Sequence, residues 1–277
     1  MNPAMPATRL LQLTKHHGAG NDFLVMVDVE GRNPLDGPVV RALCDRRFGI
    51  GADGVIRILE GTEGSDLGMD LRNADGGVAE MTGNGMRCLA QAAVEAGLVK
   101  PPSFSVRTLA GVKLVEFRPG PVEGSATASV DMGSATLGSE RQVLDHRAFE
   151  VDVGNPHLVL LWPDPADAEV ARLGAQLQGD RPGGVNVEFI APGPDPGGIT
   201  LRVWERGVGE TQACGTGSVA AAAAAQRWGL VEAEVDVHNP GGTLRVSPAD
   251  GGFRLSGPVS KVADIEVDLR QVLAAQR

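Results

Sequence analysis

Cysteine is scarce in this chain, and where it occurs it is spaced neither for metal nor for cross-linking. Cys44, Cys88 and Cys214 are the only three among 277 residues. An odd number with no C-x-x-C pair excludes a disulfide framework and a structural zinc site, and fits a reducing cytoplasm. Lysine is nearly as rare: Lys15, Lys100, Lys113 and Lys261 lie in no recognisable cofactor motif, which speaks against a Schiff-base enzyme. No basic run offsets the formal charge of -10 that arises from 25 Lys and Arg against 35 Asp and Glu. Neither a nucleic acid nor an anionic membrane is therefore an expected partner. No segment has the apolar length of a signal-peptide core, and the longest small-residue run, Ala220 to Ala225, is too short to span a bilayer. With 42% hydrophobic and 22% charged residues, the depletion that marks disorder is missing too. The length suits two ordinary domains or one large one.

Glycine, by contrast, is abundant, with 38 residues beside 18 prolines, so many turns and close backbone approaches are expected. Several glycines recur at a fixed interval, which points to an internal repeat. Thr82-Gly-Asn-Gly through Val99 aligns with Cys214-Gly-Thr-Gly through Val231 at an offset of 132, pairing Gly83 with Gly215, Gly85 with Gly217 and Gly97 with Gly229. Gly20-Asn21 through Val25 aligns with Gly154-Asn155 through Val159 at 134, and Gly51 through Ile58 with Gly183 through Ile190 at 132. Three collinear matches indicate duplication. In each copy a G-N turn opens a strand rich in Val and Leu (Leu24 to Val29; Leu158 to Trp162), and a second strand follows (Val55 to Leu59; Val185 to Ile190). A Gly-x-Gly then leads into a helix, Leu89 to Ala96 or Ser218 to Trp228, closed by Gly97 or Gly229 as a C-cap. More strands come after it: Ser103 to Arg107, Val112 to Phe117 and Ala128 to Met132, then Glu234 to His238, Thr243 to Val246 and Gly252 to Leu255. The pattern predicts an α/β (α+β) chain of two pseudo-symmetric halves, each a barrel-like mixed sheet around a central helix, with the active site in the cleft between them.

The two helix starts carry the chemistry. Four N–H groups at a helix N-terminus lack intrahelical partners, and the dipole there favours negative charge. Glycines let a ligand carboxylate approach those donors, and a cysteine at such a place is expected to ionise near neutral pH. Cys214-Gly215-Thr216-Gly217 has that arrangement. No lysine follows Gly217, so the phosphate-cradling P-loop pattern is absent. Cys44, in an amphipathic stretch from Val39 to Arg47, and Cys88, inside its helix, read as packed side chains.

His17-Gly-Ala-Gly-Asn-Asp-Phe23, Arg72-Asn-Ala-Asp-Gly76, Gly83-Asn-Gly85, Gly154-Asn-Pro-His157, Val185-Asn-Val-Glu188 and Glu205 through Gly217, followed by Pro240-Gly-Gly242 and Ser256-Gly-Pro258, resemble the diaminopimelate epimerase family. These are cofactor-independent amino-acid racemases and epimerases. The resemblance implies an isomerase that interconverts LL- and meso-2,6-diaminopimelate by α-proton removal and return, within lysine and peptidoglycan precursor biosynthesis. It implies no cofactor and no metal, a small-molecule substrate, a homodimer and a cytoplasmic setting. In that family a cysteine at each helix start flanks the substrate α-carbon. By position, Asn21, Asn73, Asn155 and Asn186 resemble the substrate-holding asparagines, and Glu205 and Arg206 the pair that contacts substrate. Gly83, Asn84, Gly215 and Thr216 would present donors to the α-carboxylate, while His157 and Glu205 would adjust thiol protonation. The halves are expected at residues 1–131 with 264–277, carrying the Thr82 helix start, and at 132–263, carrying the Cys214 helix start.

One position departs from the family pattern, because the first catalytic cysteine is here Thr82. Cys88 is no obvious substitute, since six residues along a helix is roughly 9 Å of rise. A threonine hydroxyl is far less acidic than a thiol and a poor base. It can donate a proton or cap the helix through its oxygen. Four readings follow: a diaminopimelate epimerase in which Thr82, water or a neighbour stands in for one thiol; an impaired variant with binding intact; a one-thiol relative acting as another racemase or a dehydratase; or a silent amino-acid-binding protein.

Overall fold

The computed structural model describes residues 10–275; the expected domain ends at 1–9 and 276–277 lie outside the described residues. The first copy runs β1 (Leu10–Gly18), β2 (Asn21–Val27), α1 (Gly37–Cys44), β3 (Gly54–Glu60), β4 (Leu67–Asn73), β5 (Val78–Ala79), α2 (Gly83–Glu95), β6 (Ser103–Thr108), β7 (Gly111–Pro119) and β8 (Ser125–Gly133). Short strands β9 (Thr136–Leu137) and β10 (Arg141–Val143) lead into the second. That copy runs β11 (His146–Asp152), β12 (Pro156–Leu161), α3 (Val170–Gly179), β13 (Asn186–Pro192), β14 (Gly198–Glu205), β15 (Gly209–Thr211), α4 (Gly215–Arg227), β16 (Val235–Asn239), β17 (Gly242–Ala249) and β18 (Gly252–Asp268), before the terminal α5 (Leu269–Ala274).

The duplication read from glycine spacing holds strand by strand. β2 pairs parallel with β3, β3 antiparallel with β4, and β4 parallel with β6; β12, β13, β14 and β16 repeat those three relations in order. Even the register is kept: Ile56 faces Leu71 across β3 and β4, and Glu188 faces Val203 across β13 and β14. Strands β1, β2, β3, β4, β6, β7, β8 and β18 close into a mixed barrel, since β8 pairs with β18 and β18 with β1. The second ring runs from β11 through β17 to β18 and returns through β8 and β9. Closure leaves few free edges, which suits an antiparallel-rich sheet in water.

Each barrel is filled by its helix. In α2, residues from Gly83 to Ala93 are buried all round, and in α4 the six alanines Ala220 to Ala225 are likewise buried. Alanine combines the best helix propensity with the least volume, so the run fits where sheet surrounds it on every side. Both helices end as their glycines predict. Gly97 and Gly229 sit at φ of 69° and 71°, and the next N–H groups, of Leu98 and Leu230, reach back to Ala93 and Ala225 carbonyls at 3.0 Å each. The helices α1 and α3 lie on the outside, burying Leu43 against Leu24 and Val55, and Leu173 with Leu177 near Leu158 and Phe189.

The strand at Gly252 extends far beyond Leu255, the end suggested by sequence. Gly257-Pro258 has the composition of a turn, yet both residues pair within the ladder to β8. Gly257 is there for close approach: a Cβ would come 2.5 Å from Leu244 Cδ2 and 3.2 Å from Arg87 Cζ.

Candidate active site

The starts of α2 and α4 meet backbone to backbone. A Cβ placed on Gly215 would lie 3.1 Å from Gly83 Cα, and one on Gly83 would lie 3.5 Å from Gly215 Cα and 2.6 Å from Leu255 Cδ2. A side chain on Gly215 would press on the Gly83 backbone, and one on Gly83 would collide with the Leu255 side chain. Two sets of unpaired N–H donors and two positive dipole ends therefore converge, an arrangement that favours an anion between them. Asn84 fastens the junction from below. Its Nδ2 donates to the Ala213 carbonyl at 2.8 Å and to Asn21 Oδ1 at 3.1 Å, while its Oδ1 accepts from Arg87 Nη2 at 2.7 Å.

Above the junction lies a cavity of about 340 Å³ lined by Thr82 and Cys214 together with Asn73, Asn155, Asn186, Glu205, Arg206 and Thr216; Leu71, Met81 and Val153 supply apolar wall. Of the residues expected from sequence, these eight share the cavity. Gly83, Asn84, Gly215, Asn21 and His157 stand behind it: Asn84 and His157 are buried, and Asn21 donates to Asp53 Oδ2 at 2.7 Å. A larger hollow of about 490 Å³ near Leu177 contains no cysteine, and its Arg141 and Arg181 are both paired to Glu150.

Cys214 is the N-cap of α4, where its Sγ accepts from the Gly217 N–H at 3.3 Å and lies 3.5 Å from Thr216 Oγ1. The sequence reading expects such a thiol to ionise near neutral pH. In the folded protein burial pushes it well above its ordinary value, and the negative charges of Glu205 and Glu188 push it further, outweighing the pull of Thr216 and Gly217. Burial also raises Glu205, whose carboxylate is held by Thr211 and by the Cys214 thiol. Thiol and carboxyl thus form a close, hydrogen-bonded pair in which burial favours the protonated form of each.

A second row of polar groups supports this pair. His157 Nδ1 lies 2.6 Å from Glu188 Oε1 and its Nε2 2.9 Å from Asn155 Oδ1; Asn155 Nδ2 donates to Thr216 Oγ1 at 3.3 Å. Asn186 Oδ1 accepts from the Arg206 N–H at 2.8 Å, so that asparagine orients the backbone of the Glu205-Arg206 pair. Glu188 and Thr211 were not singled out from sequence. The signal for Glu188 was present: a lone acid among Val187, Phe189 and Ile190 in a buried strand is costly unless it is paired. Thr211 lies in the stretch Glu205 through Gly217 that carries the family resemblance, but nothing in its residue type points to a carboxylate partner.

The two sides of the cavity differ sharply. By the repeat, Glu188 corresponds to Ile56 and Glu205 to Asn73, so the carboxylates that bear on the buried thiol lie on the Cys214 side, while the Thr82 side has the exposed Glu80 at the cavity wall. Thr82 caps α2 by position but makes no side-chain hydrogen bond to it, in contrast to the capping role left open by sequence. Its Cγ2 faces the helix, 2.6 Å from where a Cβ on Gly85 would sit, beside Ile56 Cδ1 and Met69 Cε. At Cys214 the sulfur takes the equivalent place, 3.2 Å from a Cβ on Gly217. The methyl occupies the seat of the missing thiol.

Solved structures with this fold include a phenazine biosynthesis protein of the PhzF family from Bacillus anthracis, with a TM-score of 0.71 at 14% identity, covering 94% of this chain and 99% of that one. Another is a hydroxyproline epimerase from Agrobacterium vitis, with a TM-score of 0.70 at 18% identity, covering 96% and 94%. The fold is thus that of a class of double-barrel proteins that includes epimerases. Within it the chain belongs to the diaminopimelate epimerase family, whose model matches residues 13–138 and 149–262. The diaminopimelate epimerase of Corynebacterium glutamicum is 40% identical over 94% of this chain and 99% of its own length. That of Mycobacterium avium is 40% identical over 96% of this chain and 100% of its own length. The one-thiol racemase or dehydratase reading of Thr82 draws no support from these likenesses, because the hydroxyproline epimerase is similar in fold alone.

Among the described residues, no helix is long and apolar enough to cross a membrane.

Proposed function

We propose that this chain interconverts LL- and meso-2,6-diaminopimelate without a cofactor, with Cys214 as the base on one face of the α-carbon and the Thr82 hydroxyl as the proton donor on the other. One observation carries this reading: a thiol on one helix start and a hydroxyl on the opposed start line a single cavity, over two convergent sets of N–H donors. An amino-acid α-hydrogen is a very weak acid, so the developing negative charge has to be stabilised where it forms. In this reading the donors of Gly83, Asn84, Gly215 and Thr216 receive the α-carboxylate as it takes on that charge. Glu205 takes the proton of the Cys214 thiol, and the thiolate then removes the α-proton. The electron pair passes into the carboxylate, and the Thr82 hydroxyl returns a proton to the opposite face; water re-protonates Thr82, and the hydroxide left takes the proton held by Glu205.

Asn73, whose side chain makes no hydrogen bond among the described residues, joins Asn155, Asn186 and Arg206 in holding the polar groups of substrate. His157 acts through Asn155 and Thr216. In this reading residues 1–131 with 264–277 form the Thr82 half and 132–263 the Cys214 half, in support of which the helix starts fall one in each. The working unit is a homodimer in the cytoplasm, which sedimentation equilibrium and fractionation test.

Proton NMR of diaminopimelate in D₂O with the protein reports exchange, inversion and elimination together. The α-hydrogen is expected to exchange and the centre to invert, and Cys214→Ala is expected to stop both. Exchange that persists in the alanine variant would remove Cys214 from its role.

A further inference from the structure

Arg87 lies one turn into α2 and is fully buried. Its Nη2 donates to Asn84 Oδ1 at 2.7 Å and its Nε to the Pro258 carbonyl at 3.2 Å, while Nη1 is buried without a partner. Among the described residues no carboxylate pairs with it. Burial pulls the guanidinium down to about 10, so the group is still cationic at neutral pH. An unpaired buried cation is costly, and an apolar side chain of similar size would be the cheaper filling for a barrel interior. The surroundings are nevertheless shaped to admit it. A Cβ on Gly18 would lie 2.9 Å from Nη2, and one on Gly257 would lie 3.2 Å from Cζ. Both glycines stand in the sequence stretches His17-Gly and Ser256-Gly-Pro258, which the cavity lining leaves unexplained.

What the guanidinium does is fix the Asn84 amide. A primary amide can turn over, exchanging its oxygen for its nitrogen. Turned over, Asn84 would set its oxygen against the Ala213 carbonyl and the Asn21 oxygen, both of which need donors. Arg87 supplies the donor that holds Oδ1 on the opposite side, and the rigid fork of the guanidinium holds it at a set angle. Ala213 immediately precedes Cys214, so the amide clamp sets where α4 starts. We infer that Arg87 is a positioning residue for Cys214, acting through Asn84 and the Ala213 carbonyl to keep the two helix starts in register. The inference rests on Cys214 being the reactive thiol.

The test needs no substrate, so it stays informative even if diaminopimelate proves not to be turned over. Iodoacetamide alkylation of Cys214 is followed by peptide mass spectrometry from pH 7 to 10 in the wild-type chain, Arg87→Met, Asn84→Ala and the double variant, with thermal melts alongside. Loss of the clamp loosens the Gly217 N–H to Sγ contact and disfavours the thiolate. Each single variant that still melts cooperatively is expected to slow alkylation at least fivefold at pH 8. The double variant is expected to lie within twofold of Arg87→Met, because the same link is cut twice. Wild-type reactivity in Arg87→Met, or additive losses in the double variant, would overturn the inference. If Arg87→Met does not fold, Arg87→Lys takes its place in the cycle. Lysine keeps the charge without the fork, and unchanged reactivity there refutes the role equally. A chain that shows this coupling yet never exchanges the α-hydrogen of diaminopimelate would sink the proposed substrate and leave Arg87 its role.

Discussion

Replacing Thr82 by cysteine is expected to speed epimerisation at least tenfold. The Thr82 side chain makes no capping bond, so its loss removes nothing that holds α2, and the melting free energy is expected to change by less than about 0.5 kcal/mol. Its Cγ2 occupies the place that the sulfur takes at Cys214. The sulfur introduced by Thr82→Cys, set in that rotamer, would face the free N–H of Gly85 as Cys214 faces that of Gly217. The walls there are Ile56 and Met69, where the Cys214 side has Glu188 and Glu205 to resist ionisation. A thiol at this helix start would thus gain a backbone donor without two opposing carboxylates. A tenfold gain corresponds to about 1.4 kcal/mol of barrier, a modest share of the difference in acidity between a thiol and an alcohol. Initial rates of α-deuteration by NMR, from both LL- and meso-diaminopimelate, measure the gain. Thr82→Val, which keeps the methyl and deletes the hydroxyl, is expected to lower the same rates at least tenfold. An unchanged rate in Thr82→Cys, with the wild-type melt retained, would refute the reasoning, and wild-type rates in Thr82→Val would take the proton-return role from Thr82.

Stability is expected to fall on the alkaline side. Burial holds the Cys44 and Cys88 thiols up at about 12, whereas unfolded cysteines ionise near pH 8.5. The folded state therefore binds more protons across that interval. The contribution is complete below the unfolded value and is lost as pH rises toward 12, at roughly 1 to 2 kcal/mol per pH unit for each thiol. Urea melts from pH 8 to 11 measure this slope, and Cys88→Ala is expected to flatten it while leaving α-hydrogen exchange in place. Gly215→Ala forces a methyl to 3.1 Å from Gly83 Cα and 3.0 Å from Leu255 Cδ2. It is expected to cost about 1 to 3 kcal/mol of stability and, by parting the helix starts, to reduce kcat more than KM, which steady-state kinetics and a denaturant melt resolve together.

Much of this protein is legible without coordinates, because its regularities are local. Glycine spacing revealed the duplication, since a glycine at a helix end or a tight approach is tied to backbone conformation that neighbouring residues set. The helix-cap glycines Gly97 and Gly229 and the paired Gly83 and Gly215 fell where their spacing placed them. Local pattern failed at β18, where the strand expected to end at Leu255 continues through Gly257-Pro258. The glycine is there to admit Arg87, a contact 170 residues away in sequence.

Sequence by itself determined the family, the double-barrel plan, and the presence of Cys214 with Thr82 as its unequal counterpart, because each is written in residue identity and short-range order. Only the tertiary structure decided the electrostatics of that cysteine. The helix start alone argues for an easily ionised thiol, yet burial first, and then two carboxylates brought beside it from separate strands, Glu205 and Glu188, reverse the sign. Desolvation and charge proximity belong to the assembled fold, and no window of neighbouring residues contains them.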